Sequence, residues 1–158
     1  MNSAASRPCE GNTRAFWVAL TINVVWINAS EIFRYFVFIM PMMRDLLPQV
    51  PNMNVTVFLI WGVWDTIIVV AATTFSWFFL DRFGRDWRMA FLAGTTLWIT
   101  AFLILWLALF NMSLASINVL AIALLLSWFE LIVAAQIVNW SMSVFNRQSP
   151  AISMRSAD

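Results

Sequence analysis

Histidine is absent from this chain of 158 residues, and cysteine occurs once, as Cys9. Without imidazole groups the chain offers no histidine ligand for a metal or haem and no Ser–His pair for nucleophilic catalysis. A single cysteine excludes an intrachain disulfide and a cysteine cluster for zinc or iron–sulfur. We therefore expect neither a metal site nor a cofactor.

Charged side chains are also scarce, at 11% of the residues, against about 25% in an ordinary soluble domain. Hydrophobic residues make up 62%, and the mean hydropathy is +0.81. One soluble core of this size cannot bury so much apolar surface. The composition therefore excludes a soluble enzyme, a secreted disulfide scaffold and a nucleic-acid-binding protein. It predicts a multi-pass integral membrane protein in contact with the lipid bilayer.

Four apolar runs are long enough to cross a membrane as helices. A spanning helix needs about 20 residues, because the hydrocarbon core is about 30 Å thick and each residue rises about 1.5 Å. The runs cover about residues 16–40, 55–80, 89–110 and 117–144, the first ending before Pro41. They are too long for barrel strands. We predict an all-α, four-helix transmembrane bundle with polar tails at 1–15 and 145–158, and a first span that is retained rather than cleaved as a signal peptide.

The distribution of arginine predicts the orientation of this bundle. All nine basic residues are arginine, and seven of them lie in the two tails and in the second connection, whereas only Arg44 lies in the first connection. Because cytoplasmic segments carry an excess of basic residues, both termini are expected to be cytoplasmic. In the second connection, Gly84 is expected to allow a tight turn and Asp86 to cap the third helix.

Three acidic residues lie inside the predicted spans: Glu31, Asp65 and Glu130. A charge at the bilayer centre costs about 2.5–3.5 kcal/mol on insertion scales, so such residues indicate a functional site by default. Counted from the outer ends of their spans, they lie about 14 to 20 Å deep at about 1.5 Å per residue. We predict that these three residues form one catalytic site. A single Arg34 cannot balance three carboxylates, so at least one, expected to be the deep Glu130, carries a proton.

The helical phase adds candidate substrate-binding residues. On the first helix Asn28, Glu31 and Tyr35 share one stripe, with Arg34 at its edge. On the face of Asp65, the small Gly62 and Ala72 are expected to let a neighbouring helix approach. Deeply placed tryptophans can wall an apolar pocket that suits a flat hydrophobic ligand or a transient cation. The predicted substrate-binding residues are Asn28, Arg34, Tyr35, Trp26, Trp61, Trp64 and Trp128.

These residues favour an intramembrane acid–base enzyme for a lipid-soluble small molecule, of the isomerase, cyclase or epoxide-opening type and without a metal. Glu130 or Asp65 would be the general acid and Glu31 the base. One alternative is a small proton-coupled transporter that works as an oligomer. Another is a non-catalytic membrane subunit or assembly factor, in which Glu31 and Arg34, one turn apart, belong to a purely structural ion-pair network.

Overall fold

The computed structural model of the protein describes residues 9–48 and 54–147, with side chains for 13–48 and 54–145. This part of the chain is helical: α1 (Cys9–Arg34), a π-helical turn (Tyr35–Ile39), α2 (Met40–Leu46), α3 (Val55–Phe83), α4 (Trp87–Trp98), a second π-helical turn (Ile99–Leu103), α5 (Ile104–Asn111) and α6 (Ile117–Arg147). The predicted tails lie largely outside the described residues.

Four continuous helical stretches are long and apolar enough to cross a membrane. They are the first span (Thr13–Leu46), the second (Val55–Phe83), the third (Trp87–Asn111) and the fourth (Ile117–Phe145). The all-helical class and the four spans are confirmed, and the protein is a multi-pass integral membrane protein that sits in a lipid bilayer.

The first span is longer than the sequence predicts. It continues past Pro41 to Leu46, whereas a helix end was predicted at residue 40. Pro41 lies in the first turn of α2, directly after the π-helical turn. A proline is tolerated in a first helical turn, where its missing N–H costs little. It therefore does not terminate this span.

The connection between the second and third spans has the predicted form. Gly84 has a φ of +119°, a backbone conformation that favours glycine. Asp86 caps α4, because its Oδ1 accepts a hydrogen bond of 2.8 Å from the N–H of Met89. Asn54 caps α3 in the same way through the N–H of Val57, and this cap was not predicted.

The fourth span is the centre of the bundle. In its apolar window 39% of the residues are buried, against 17% to 22% in the other spans, and α6 packs against α1, α3 and α4. Ser141 donates a hydrogen bond of 2.6 Å to the carbonyl oxygen of Ala15. This contact places the beginning of the first span and the end of the fourth at the same end of the bundle.

Two glycines have opposite surroundings. A Cβ atom on Gly94 would lie 2.7 Å from the Cα of Ile132, so the third and fourth spans touch backbone to backbone there. A Cβ atom on Gly62 would meet nothing within 4 Å. The expectation that Gly62 admits a neighbouring helix is therefore wrong, whereas Ala72, for which the same was expected, is buried in the core. This side of the second span is left open instead.

Candidate functional site

A buried ion-pair network joins the first and fourth spans. Arg34 donates from Nη2 to Oε1 of Glu31 and from Nη1 to Oε2 of Glu130, the latter over 3.3 Å. Ser30 donates a further hydrogen bond of 2.7 Å to the same Oε2. The three charged residues are at most 5% exposed. We call Ser30, Glu31, Arg34 and Glu130 the ion-pair network.

The third span also contacts this network. The guanidinium of Arg34 lies 5.2 Å from the ring centroid of Phe102, which belongs to the second π-helical turn. The first π-helical turn begins directly after Arg34. A π-helical turn adds a residue to the local backbone loop and redirects the side chains around it. Arg34 is therefore held by side chains from three of the four spans.

Asp65 of the second span lies beside the network but outside it. Its side chain is buried, and its Oδ1 has no hydrogen-bond partner among the described residues. It takes part in no ion pair there, although the charges of Glu31 and Arg34 act on it. An oxygen that is buried without a partner is costly. Oε1 of Glu130 is likewise buried without a partner among the described residues, so Asp65 and Glu130 are the two acidic groups there with an oxygen left to bind another molecule.

A cleft of about 60 Å³ lies between the first and second spans. Glu31 and Asp65 both line it, and its rim carries Ile32, Phe36 and Phe58, which are 45% to 59% exposed. Because these rim residues lie within spans, the cleft opens sideways toward lipid. The complete lining is Asn28, Glu31, Ile32, Tyr35, Phe36, Phe58, Trp61, Gly62 and Asp65.

Aromatic rings form one wall of this cleft. The rings of Tyr35 and Trp61 pack with their centroids 4.3 Å apart at an interplanar angle of 50°. The open space at Gly62 lies next to them. The lack of a side chain at Gly62 thus leaves room in front of Asp65, one turn further along α3.

The structure brings some of the predicted site residues together and separates others. Five of them line the cleft, and Arg34 and Glu130 lie behind it in the network; the five are Asn28, Glu31, Tyr35, Trp61 and Asp65. The three acids are thus neighbours, but Glu130 does not face the cleft. The amide of Asn28 donates to the carbonyl oxygen of Val24 in its own helix.

Three predicted tryptophans do not line the cleft. Trp26 donates from Nε1 to the carbonyl oxygen of Glu130 over 3.0 Å, and it thereby ties α1 to α6. Trp128 donates to Oγ1 of Thr95, between the third and fourth spans. Trp64 is 43% exposed on the outside of the bundle. Their surroundings are those of packing and lipid-facing residues.

Some residues of the site were not predicted. Ser30 was recognisable as a polar residue next to Glu31 in an apolar span. Phe58 is recognisable because it shares the helical face of Asp65. Phe36 is one of many apolar residues in the spans, and no pattern singles it out. Phe102 reaches Arg34 from a π-helical turn, which has no signal in the hydrophobic periodicity.

Among the described residues, no group of three or more cysteine, aspartate or glutamate side chains is arranged to hold a metal ion. What the arrangement offers chemically is two carboxyl groups from different spans at one apolar cleft, with an arginine anchoring one of them.

Comparisons of the chain with protein-family models, with curated proteins and with solved structures found no match.

Proposed function

We propose that the protein is an intramembrane acid–base enzyme that acts on a lipid-soluble small molecule bound in the cleft. The observation that carries this proposal is the pairing of Glu31 and Asp65 at one lipid-facing cleft, with Oδ1 of Asp65 buried and unpartnered. A purely structural network has no use for Asp65, which stays outside the ion pairs. A catalytic acid requires such a position.

The two carboxyl groups have different roles. One arginine faces three buried carboxyl groups, so the site is neutral only when two of them hold a proton. Asp65 has no counter-charge of its own, and it is the proton donor. Glu31 is bound directly to Arg34, and it is the base. Two carboxyl groups kept in different protonation states by their surroundings are typical of acid–base catalysis.

Glu130 and Arg34 are positioning residues in this proposal. Glu130 is fully buried and bonds to Arg34 and Ser30 rather than lining the cleft. Together with Trp26 on its backbone oxygen, it fixes the first span against the fourth. The carboxylate of Glu31 is thereby held in one orientation, as general acid–base catalysis requires.

Isomerisation, cyclisation and epoxide opening all need only proton transfers of this kind, and they are common steps in the biosynthesis of lipid-soluble compounds. The apolar walls exclude water from the cleft, so that charges in it act at low dielectric. The substrate reaches the site from the bilayer through the rim formed by Ile32, Phe36 and Phe58.

Solvent deuterium provides the test. The purified protein is placed in vesicles made from the lipid extract of its native membranes and incubated in heavy water, and the lipid-soluble molecules are analysed by mass spectrometry. We expect one or more of them to acquire deuterium in a protein-dependent manner, on carbon if an alkene accepts the proton and on the new hydroxyl group if an epoxide does. Asp65→Asn and Glu31→Gln should each abolish this incorporation.

Asp81→Asn is the matched control, because Asp81 is an exposed acid of the same span that pairs with Arg85 outside the site. It should leave the incorporation unchanged. Circular dichroism establishes that all three variants are folded. Incorporation that persists at full rate in both Asp65→Asn and Glu31→Gln, or that equals the level in protein-free vesicles, contradicts the proposal.

A further inference from the structure

We infer, resting on the proposed function, that the cleft is selective for neutral, electron-rich substrates that become positively charged when they accept a proton. An alkene and an epoxide both have this chemistry. A carbonyl compound that passes through an enolate does not, because it becomes negatively charged.

The charges around the cleft support this assignment. Among the described residues that line it, both charged ones are acidic, and none is basic. Arg34, the nearest cation, directs its guanidinium nitrogens to Glu31 and Glu130 and lies outside the lining. An anion in the cleft would meet a carboxylate without a cationic donor, whereas a cation would be stabilised by it.

The aromatic wall acts in the same direction. Four of the nine lining residues carry rings, namely Tyr35, Phe36, Phe58 and Trp61. The face of an aromatic ring is negatively polarised and attracts a cation, and the attraction is strongest where water is excluded. The Tyr35–Trp61 pair therefore favours a positive centre over a neutral one and disfavours an anion.

The unpartnered oxygen of Asp65, on which the proposed function also rests, belongs to a residue that lines the cleft. The residue is 6% exposed, and its Oδ1 has no partner among the described residues. A bound molecule whose reacting group lies against this carboxyl would supply the missing interaction and accept its proton. The space left at Gly62, one turn away, admits such a group.

The chemical step conserves charge within the site. The O–H bond of Asp65 breaks, and its electron pair remains on the carboxylate. The proton is bound by the π electron pair of the alkene or by a lone pair of the epoxide oxygen, so that the substrate gains one positive charge as Asp65 gains one negative charge. In the epoxide, one C–O bond breaks and its electron pair remains on the oxygen, which becomes a hydroxyl group. Glu31 can then take a proton from a neighbouring carbon, whose C–H electron pair forms a new double bond. Transfer of that proton from Glu31 back to Asp65 restores the site.

A stable cation serves as the probe for this selectivity. Decyltrimethylammonium carries a permanent positive charge, and its neutral carbon isostere carries a tert-butyl group in place of the trimethylammonium group. Binding of each is measured to the protein in lipid nanodiscs, with empty nanodiscs as the baseline. We expect the cation to bind the wild-type protein about tenfold or more tightly than the isostere does.

The bound cation imitates the protonated substrate, whose counter-charge is the ionised Asp65. Asp65→Asn and Glu31→Gln should therefore each reduce this preference toward unity, while Asp81→Asn should retain it. Equal binding of the cation and the isostere by the wild-type protein overturns the inference, and this result requires no variant to fold. A preference that is unchanged in both site variants also overturns it.

Deuterium incorporation without a cation preference would overturn the inference alone and leave the proposed function standing. A cation preference without incorporation would support the site but contradict the proposed function.

Discussion

Arg34 is the residue that makes the buried acids of this bundle compatible with a membrane. It bonds to Glu31 in its own helix and to Glu130 in the fourth span, and its guanidinium also lies near the ring of Phe102. Removing one partner of a buried ion pair leaves uncompensated charge, which costs far more than removing the whole group. Stability should therefore depend on this side chain more than on any exposed charge.

We expect Arg34→Met to lower the free energy of unfolding by about 3 kcal/mol or more. The measurement is an unfolding titration with sodium dodecyl sulfate in mixed micelles, followed by circular dichroism. Combining Arg34→Met with Glu31→Leu and Glu130→Leu should restore much of the loss, because no charge is then left buried. Arg85→Met, which breaks the exposed pair with Asp81, should cost less than about 1 kcal/mol. Equal effects of Arg34→Met and Arg85→Met would contradict this view of the network.

At the residue scale, the presence of acids within the spans could be predicted from the sequence, and most of their geometry could not. A carboxyl within an apolar run is visible from composition alone, and the structure places Glu31 and Asp65 at one cleft. The location of Glu130 behind Arg34 depends on which spans are neighbours, and a single sequence gives no such information. The sequence indicates how deep in the membrane each tryptophan lies. This depth does not distinguish Trp61 at the cleft from Trp64 on the outer surface.

At the scale of whole helices, the close contact between the third and fourth spans depends on a glycine. Because a Cβ on Gly94 would lie 2.7 Å from backbone atoms of Ile132 and Leu131, Gly94→Ala should separate the two helices. We expect a loss of about 1–3 kcal/mol of unfolding free energy, as for overpacked cores. Gly62→Ala is the matched control, since its Cβ meets nothing within 4 Å. It should be neutral or slightly stabilising in the same detergent titration. The prediction is wrong if the two alanine variants are equally stable.

The start of the third span depends on its capping residue. Asp86→Ala removes the acceptor for the N–H of Met89, and such a loss costs about 1 kcal/mol. We expect faster hydrogen–deuterium exchange confined to the first turn of α4. Asp81→Ala, which removes a nearby exposed acid without a capping role, should leave that exchange unchanged. Unaltered exchange at Met89 in Asp86→Ala would refute the capping role.

At this scale the sequence predicted the caps and turns that a single local pattern specifies, as at Gly84 and Asp86. It did not predict the two π-helical turns. Such a turn inserts one residue and shifts the helical phase, but where a helix is apolar on all sides there is no hydrophobic periodicity in which the shift could be seen. The helix end expected before Pro41 failed for a related reason. The proline follows a π-helical turn, where the chain begins a new α-helical segment.

For the whole molecule, hydropathy alone does not determine the orientation in the membrane. The excess of arginine in the tails and in the second connection predicts that the first connection is outside. In a Cys9→Ser background, Asp45→Cys should react with a membrane-impermeant maleimide in intact cells. Asp81→Cys should react only after lysis. Both substitutions replace an exposed acid, so a reversed pattern of labelling would contradict the predicted orientation.

The sideways opening of the cleft has a consequence for how any occupant is measured. A molecule that enters between Ile32, Phe36 and Phe58 comes from the bilayer, so its effective concentration is its mole fraction in the lipid and not its molarity in buffer. Extra protein-free lipid that exchanges with the sample will dilute the occupant and lower its binding, even when the total amount and the total volume stay constant. Affinities for this cleft therefore have meaning only when they are stated per mole of membrane.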